Sequence, residues 1–226
     1  MKIMKKPIMI CCVIIAAISF SCINATASDL IDKVIERYSV FGFSAAFIQE
    51  SVLKAMDITD TARGTVYFRR PGKMRWEYDK PEPQLIVSNG SNLWIYKPYE
   101  NQVMTGKAPD LFGDGKGASF LSDIATIRDR FSIAPYTAGE KEKKNPDQES
   151  FSLIPIKKHP DFAEIIIYVN INNFDIESVE TKNVFGDITR IRMKDIRFYD
   201  SKNAAMSDEM FGFKIPAGAD VVQLQE

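Results

Sequence analysis

A glycine-rich stretch, Asp110-Leu-Phe-Gly-Asp-Gly-Lys-Gly-Ala118, has the residue types from which phosphate and calcium loops are built. Neither spacing is met. A P-loop cradles phosphates with Gly-x-x-x-x-Gly-Lys-Ser/Thr, and no such run occurs in the chain. A calcium loop closes on a bidentate glutamate, and none follows Asp110 and Asp114 at that place. His159, between Lys158 and Pro160, has no Gly-x-Ser-x-Gly elbow to serve and no cysteine after Cys22. It reads as a surface-turn histidine. The acidic pair Asp208 and Glu209 stands in a polar stretch that reads as a short helix or loop. The chain thus offers no catalytic constellation, metal set or cofactor motif, and a non-enzymatic function is expected.

Two other features carry chemistry of a different kind. Arg69-Arg70-Pro71-Gly72 places adjacent cations at a tight turn between strands. Neighbouring strand residues face opposite sides, so one arginine is expected in solvent and the other turned inward. An unpaired buried charge is very costly, and five donors suit the exposed carbonyls of a helix or loop end. The second feature is a density of apolar rings between Phe41 and Tyr96, including Phe43, Phe47, Phe68, Trp76, Tyr78 and Trp94. These rings fit an ordinary core. They fit equally an apolar hollow, left where a twisted sheet closes over amphipathic helices, of the kind that holds ligands.

The elements that must position these residues follow from periodicity. Leu30, Ile31, Val34, Ile35, Tyr38 and Phe41 recur at helical spacing, which predicts a helix over Asp29–Phe41, capped by Ser28 or Asp29 and stopped by Gly42. The period then changes to two. Strands are predicted over Thr65–Arg70 and Lys73–Asp79, the latter with Met74, Trp76 and Tyr78 on one face. Leu85–Ser88 and Leu93–Tyr96 flank Asn89-Gly90, a hairpin signal. Further strands are predicted near Gln102–Thr105, Phe131–Tyr136, Ser150–Pro155, Glu164–Asn170, Ile176–Thr181 and Ile188–Phe198. One helical stripe interrupts them, from Ser119 through Phe120, Leu121, Ile124, Ile127 and Arg128 to Phe131. The charged segment from Gly139 to Ser150 reads as a solvated hairpin tip.

Composition bounds the rest. The chain has 226 residues, 45% of them hydrophobic, 26% charged and with a formal charge of −1, and its pI is near 6.0. That is globular composition for a single domain, without the basic surface that nucleic-acid binding rests on. Lys2, Lys5 and Lys6, an apolar run from Ile8 through Phe20, and Ala25-Thr26-Ala27 form a signal peptide, with cleavage expected after Ala27. Residues 28–226 then form one exported, mildly acidic domain without cysteine, because Cys11, Cys12 and Cys22 leave with the signal. Two alternatives stay open at this end: an uncleaved anchor, and lipidation at Cys22, behind Ser19-Phe20-Ser21.

The run Gly64-Thr-Val-Tyr-Phe-Arg-Arg-Pro-Gly-Lys-Met-Arg-Trp-Glu-Tyr78, then Pro81, Leu85-Ile-Val-Ser-Asn-Gly90 and Leu93-Trp-Ile-Tyr96, resembles the LolA family of periplasmic lipoprotein carriers. Phe43-Ser-Ala-Ala-Phe47-Ile-Gln49 near the start and Phe211-Gly-Phe-Lys-Ile-Pro-Ala-Gly-Ala-Asp-Val-Val222 near the end agree with it, whereas positions 136 to 163 resemble nothing diagnostic. The resemblance implies an α+β fold: an unclosed antiparallel β-barrel whose mouth is covered by a lid of α-helices, over an apolar cavity that accepts the acyl chains of lipoproteins. It implies that Arg70, the arginine before the proline, locks the lid by hydrogen bonds. It implies that Met74, and more loosely Phe47, Trp76, Ile86 and Trp94, line the cavity. The partners implied are acylated lipoproteins, an inner-membrane ABC-type lipoprotein-releasing complex and an outer-membrane lipoprotein receptor, served by a monomer without nucleic acid, metal or cofactor. The rival expectations are a lipid-anchored receptor of the same fold, which acylation of Cys22 favours, a periplasmic module that senses lipid or peptide in the same hollow, and a lipid hydrolase, which lacks its serine elbow here.

Overall fold

The computed structural model describes residues 27–108, 119–137, 145–158, 163–201, 203 and 206–224. Residues 1–26 of the signal-peptide segment, the whole glycine-rich loop and His159 lie outside the described residues.

Helix α1 spans Ala27–Tyr38 and buries Leu30, Ile31, Val34 and Tyr38 along one stripe, with Asp29 in its first turn and Arg37 in its last. Both charges lie where the helix dipole favours them. Each large apolar side chain so buried is worth about 1.5–3 kcal/mol, so the stripe commits α1 to the sheet. The helix stops three residues before the predicted Phe41, because the chain turns at Ser39, whose N–H still reaches Ile35 O at 2.9 Å, and enters a strand at Gly42.

Twelve strands follow: β1 (Gly42–Leu53), β2 (Ile58–Arg69), β3 (Lys73–Lys80), β4 (Gln84–Asn89), β5 (Asn92–Lys97), β6 (Gln102–Lys107), β7 (Phe131–Pro135), β8 (Gln148–Pro155), β9 (Glu164–Asn170), β10 (Ile176–Lys182), β11 (Ile188–Tyr199) and β12 (Asp220–Gln223). They form one sheet in the order β12-β6-β5-β4-β3-β2-β1-β11-β10-β9-β8-β7. Its ends, β12 and β7, do not pair with each other, so the barrel is unclosed. The sheet is not wholly antiparallel as expected: β12 runs parallel to β6, Val221 beside Val103. The last strand reaches β6 by a return along the outside of the sheet, which reverses its direction relative to a hairpin.

Irregularities help the sheet to curve. The β1–β11 register shifts between Ser44 and Ala46, and the β2–β3 register shifts between Arg63 and Gly64, each adding local bend and twist. Gly90, in the expected β4–β5 turn, adopts a φ of +93°, a conformation that glycine tolerates without steric cost. The mid-chain helical stripe is a 3-10 segment, Ser119–Thr126, kinked at Asp123, followed by the short helix α2 (Ile127–Arg130). Phe131, where the helical stripe and the predicted strand Phe131–Tyr136 overlap, opens β7 as that strand reading expected.

The concave face holds the core. Phe43, Phe68, Met74 and Trp76 are buried there with Leu30, Ile31 and Val34 of α1 and with Phe120, Leu121 and Ile124 of the 3-10 segment. Rings lock edge to face, Tyr38 on Phe43 at 4.9 Å and Phe47 on Trp76 at 5.0 Å, arrangements that add to simple burial.

Candidate functional site

Of the residues expected in the cavity, Phe47, Met74, Trp76 and Ile86 come together on the concave face, all in one buried cluster under the helices. Register explains it: Trp76 lies opposite Ile86 across β3 and β4, and Phe47 lies opposite Gly64 across β1 and β2, where the absent side chain lets the backbone of β3 approach closely at Glu77. Trp94 does not join them. It pairs with Val87, one position out of phase with the Ile86–Ile95 pair that faces the core. Its ring lies on the convex side, 6.3 Å from Phe213.

The arginine pair is placed by the same alternation, with one correction. Arg70 turns to the lid: its Nη1 donates to Ser39 O at 2.8 Å, just beyond the last turn of α1, and its backbone N–H donates to Phe41 O. Two residues on, Gly72 N–H donates to Ser122 O in the 3-10 segment at 3.1 Å, and Ser88 Oγ donates to Gly72 O. One turn therefore holds both pieces of the lid. Arg69, expected in solvent if Arg70 turned inward, is only 6% exposed. The returning C-terminal segment covers it: Arg69 donates to Met206 O at 2.5 Å, pairs with Asp208, and lies over the rings of Phe41 and Phe211.

Asp208 also pairs with Lys73, and the hydrogen bond from Lys73, then that from Arg69, holds its carboxyl below the usual carboxylate range. Farther along, Arg75 donates to Met210 O, and Phe211 is fully buried. Sequence reasoning missed this outer layer. A signal for it was present: Leu85-Ile-Val and Leu93-Trp-Ile-Tyr are unbroken apolar runs, the mark of strands covered on both faces.

The same end of α1 is also pinned to the other half of the sheet. Arg37 donates to Asp175 at 2.7 Å and lies over Phe198, and the Tyr38 hydroxyl accepts the N–H of Ile176 at 2.8 Å. Burial pushes the Tyr38 hydroxyl far above its ordinary pKa, so it stays neutral. Asp32 meets Arg128 at 2.6 Å, linking α1 to α2. At the other end of the sheet the inner row turns polar: the Tyr78 hydroxyl donates to Gln49 Oε1 at 3.0 Å. Beyond this bond opens a cavity of about 520 Å3, bordered by Leu53, Tyr78, Gln84 and Ile86.

The arrangement is a curved sheet whose aromatic-rich concave face is packed beneath α1 and the 3-10 segment, with an arginine bonded at the end of α1. No group of three or more metal-ligating side chains occurs among the described residues, and no helix among them is long and apolar enough to cross a membrane. Residues 38–214 match the family model described as outer membrane lipoprotein carrier protein LolA. The chain belongs to the LolA family. An outer-membrane lipoprotein carrier protein of Dechloromonas aromatica is 32% identical over 180 residues, 80% of this chain and 78% of the relative. A protein of the same description from Chromohalobacter salexigens is 28% identical over 186 residues, 82% of either chain. Among solved structures, an uncharacterized conserved protein from Thermus thermophilus superposes with a TM-score of 0.51 at 14% identity, covering 87% of this chain and 99% of that one. This last likeness speaks to the fold alone.

Proposed function

We propose that this protein is a periplasmic chaperone that takes the acyl chains of lipoproteins into the chamber beneath its lid and delivers them to an outer-membrane acceptor. The observation that carries the reading is the Arg70–Ser39 hydrogen bond, which closes a cover over the cluster that contains Phe47, Met74, Trp76 and Ile86. The carrier descriptions of its relatives support it. In this reading an inner-membrane ABC-type complex supplies the cargo, an outer-membrane receptor accepts it, and residues 28–226 act as a monomer after removal of the signal peptide.

Energetics favour a latch of this kind. Burying a methylene is worth about 0.8 kcal/mol, so about 25 methylenes already reach the ~20 kcal/mol ceiling of non-covalent affinity. A carrier that gained all of it would not release its cargo. In the empty protein the interior is filled by lid and ring side chains, and the Arg70 bond, worth about 1.5–3 kcal/mol if fully formed, favours closure. Cargo must displace both, which leaves it transferable. Met74, a flexible thioether, conforms to whichever chains enter.

Tryptophan fluorescence tests the reading. With Trp94→Phe, Trp76 is the remaining tryptophan, and a diacylated lipopeptide brominated along its chains should quench it, saturating at one ligand per protein. Absence of quenching in the folded protein overturns the reading.

A further inference from the structure

Trp76 is 1% exposed, yet its indole Nε1–H meets no acceptor among the described residues. A buried indole N–H ordinarily has a partner, and leaving one unmade is costly. Its aromatic neighbours do not supply one. Phe47 and Phe68 meet it edge to face, and Tyr78, stacked at 6.3 Å, directs its hydroxyl to Gln49. An aliphatic chain sliding past Trp76 would fill space and leave the donor unsatisfied, because hydrocarbon has no lone pair. A carbonyl oxygen would satisfy it.

The surroundings say where such a carbonyl lies along an amphiphile. Trp76 faces Ile86 across the strands, and Ile86 borders the cavity of about 520 Å3 at the end away from the lid turn. That volume lies within the roughly 300–1,000 Å3 of small-ligand sites. Its walls are mixed, with Leu53 and Ala62 beside Gln49, Gln84 and Thr189. Trp76 itself does not line this cavity: it lies one side chain inside it, behind Ile86 and Tyr78, where the apolar interior gives way to the half-polar opening. The ester of an acylated glycerol has its carbonyl at the same boundary, tails to one side and polar remainder to the other.

We propose that the Trp76 indole N–H is the hydrogen-bond donor to an ester carbonyl at the head of the bound acyl chains, with the polar remainder of the ligand in the cavity beyond Tyr78. The inference rests on the carrier reading and adds to it a recognition element for the ester and an orientation for the cargo.

The test compares two ligands by calorimetry on the full exported chain: a lipopeptide with ester-linked dipalmitoylglycerol and its ether-linked isostere, which lacks the carbonyls. The wild type should bind the ester form about fivefold more tightly, the ratio one ordinary hydrogen bond supplies. In Trp76→Phe that ratio should fall to about one, whatever the variant's affinity for the ether form. Equal binding of the two ligands by the wild type overturns the inference and leaves the carrier reading standing, and this comparison needs no variant to fold. A ratio that survives in Trp76→Phe also overturns it. Binding of neither ligand by folded wild type overturns the carrier reading, and this inference with it.

Discussion

Arg70 and Ser39 lie 31 residues apart in the chain and meet through one hydrogen bond of 2.8 Å, guanidinium to carbonyl, at the point where α1 hands over to β1. A helix leaves its last carbonyls without internal partners, and this cation answers the region where they gather. The bond is only part-buried, so it is suited to opening and reclosing. Arg70→Leu should therefore fold, with a stability loss of at most about 1.5–3 kcal/mol by urea titration. Removing a bond that cargo must break should tighten lipopeptide binding about tenfold or more and slow transfer to an acceptor. Transfer at the wild-type rate would contradict the latch.

The neighbouring cation should behave differently. Arg69 holds the C-terminal segment through Met206 O and Asp208, away from the lid. Arg69→Leu leaves the Met206 carbonyl unpaired and should cost about 1–3 kcal/mol of stability, with the ratio of cargo binding to release kept. Unchanged stability would show that the outer layer does not depend on this pair.

Asp208 gives that layer a pH dependence of definite sign. The hydrogen bond from Lys73, and then that from Arg69, depresses its native pKa, so its contribution is present above the ordinary carboxylate range and is lost as pH falls through the depressed native value. The stability difference between wild type and Asp208→Asn should be constant from about pH 7 to about pH 5 and narrow below about pH 4. A difference that widens on acidification would contradict the assignment.

Gly64 tests the packing behind the rings. A Cβ there would lie 1.8 Å from Glu77 O, at the register shift between β2 and β3. Backbone would have to move to admit it, so Gly64→Ala should cost about 1–3 kcal/mol or more and loosen the Phe47 side of the chamber. Calorimetric melting of the variant checks this, and a wild-type transition would contradict it.

Much of the fold is legible in the chain because period-two patterning survives wherever one face is buried. Met74, Trp76 and Tyr78 announce both β3 and its inner face. What alternation does not announce is a second cover. Trp94 reads like Trp76 in isolation, and only the pairing of Trp94 with Val87 sends it outward, to a layer built from Phe211 and Phe213 more than a hundred residues later. Arg69 is buried for the same non-local reason. The strand β12 has a similar cause: four exposed residues carry little pattern of their own, and their parallel pairing with β6 depends on where the chain has travelled before. The helix ends at Tyr38 rather than at Phe41 because Phe41 extends the helical stripe while serving the sheet side, beneath Arg69.

The central claim is that this protein carries acylated lipoproteins, and a release assay tests it most directly. Purified residues 28–226 are added to energised spheroplasts, and the supernatant is probed for acylated lipoproteins. The account predicts release as one-to-one complexes with the added protein. A supernatant without lipoproteins, from protein shown to be folded, would contradict it.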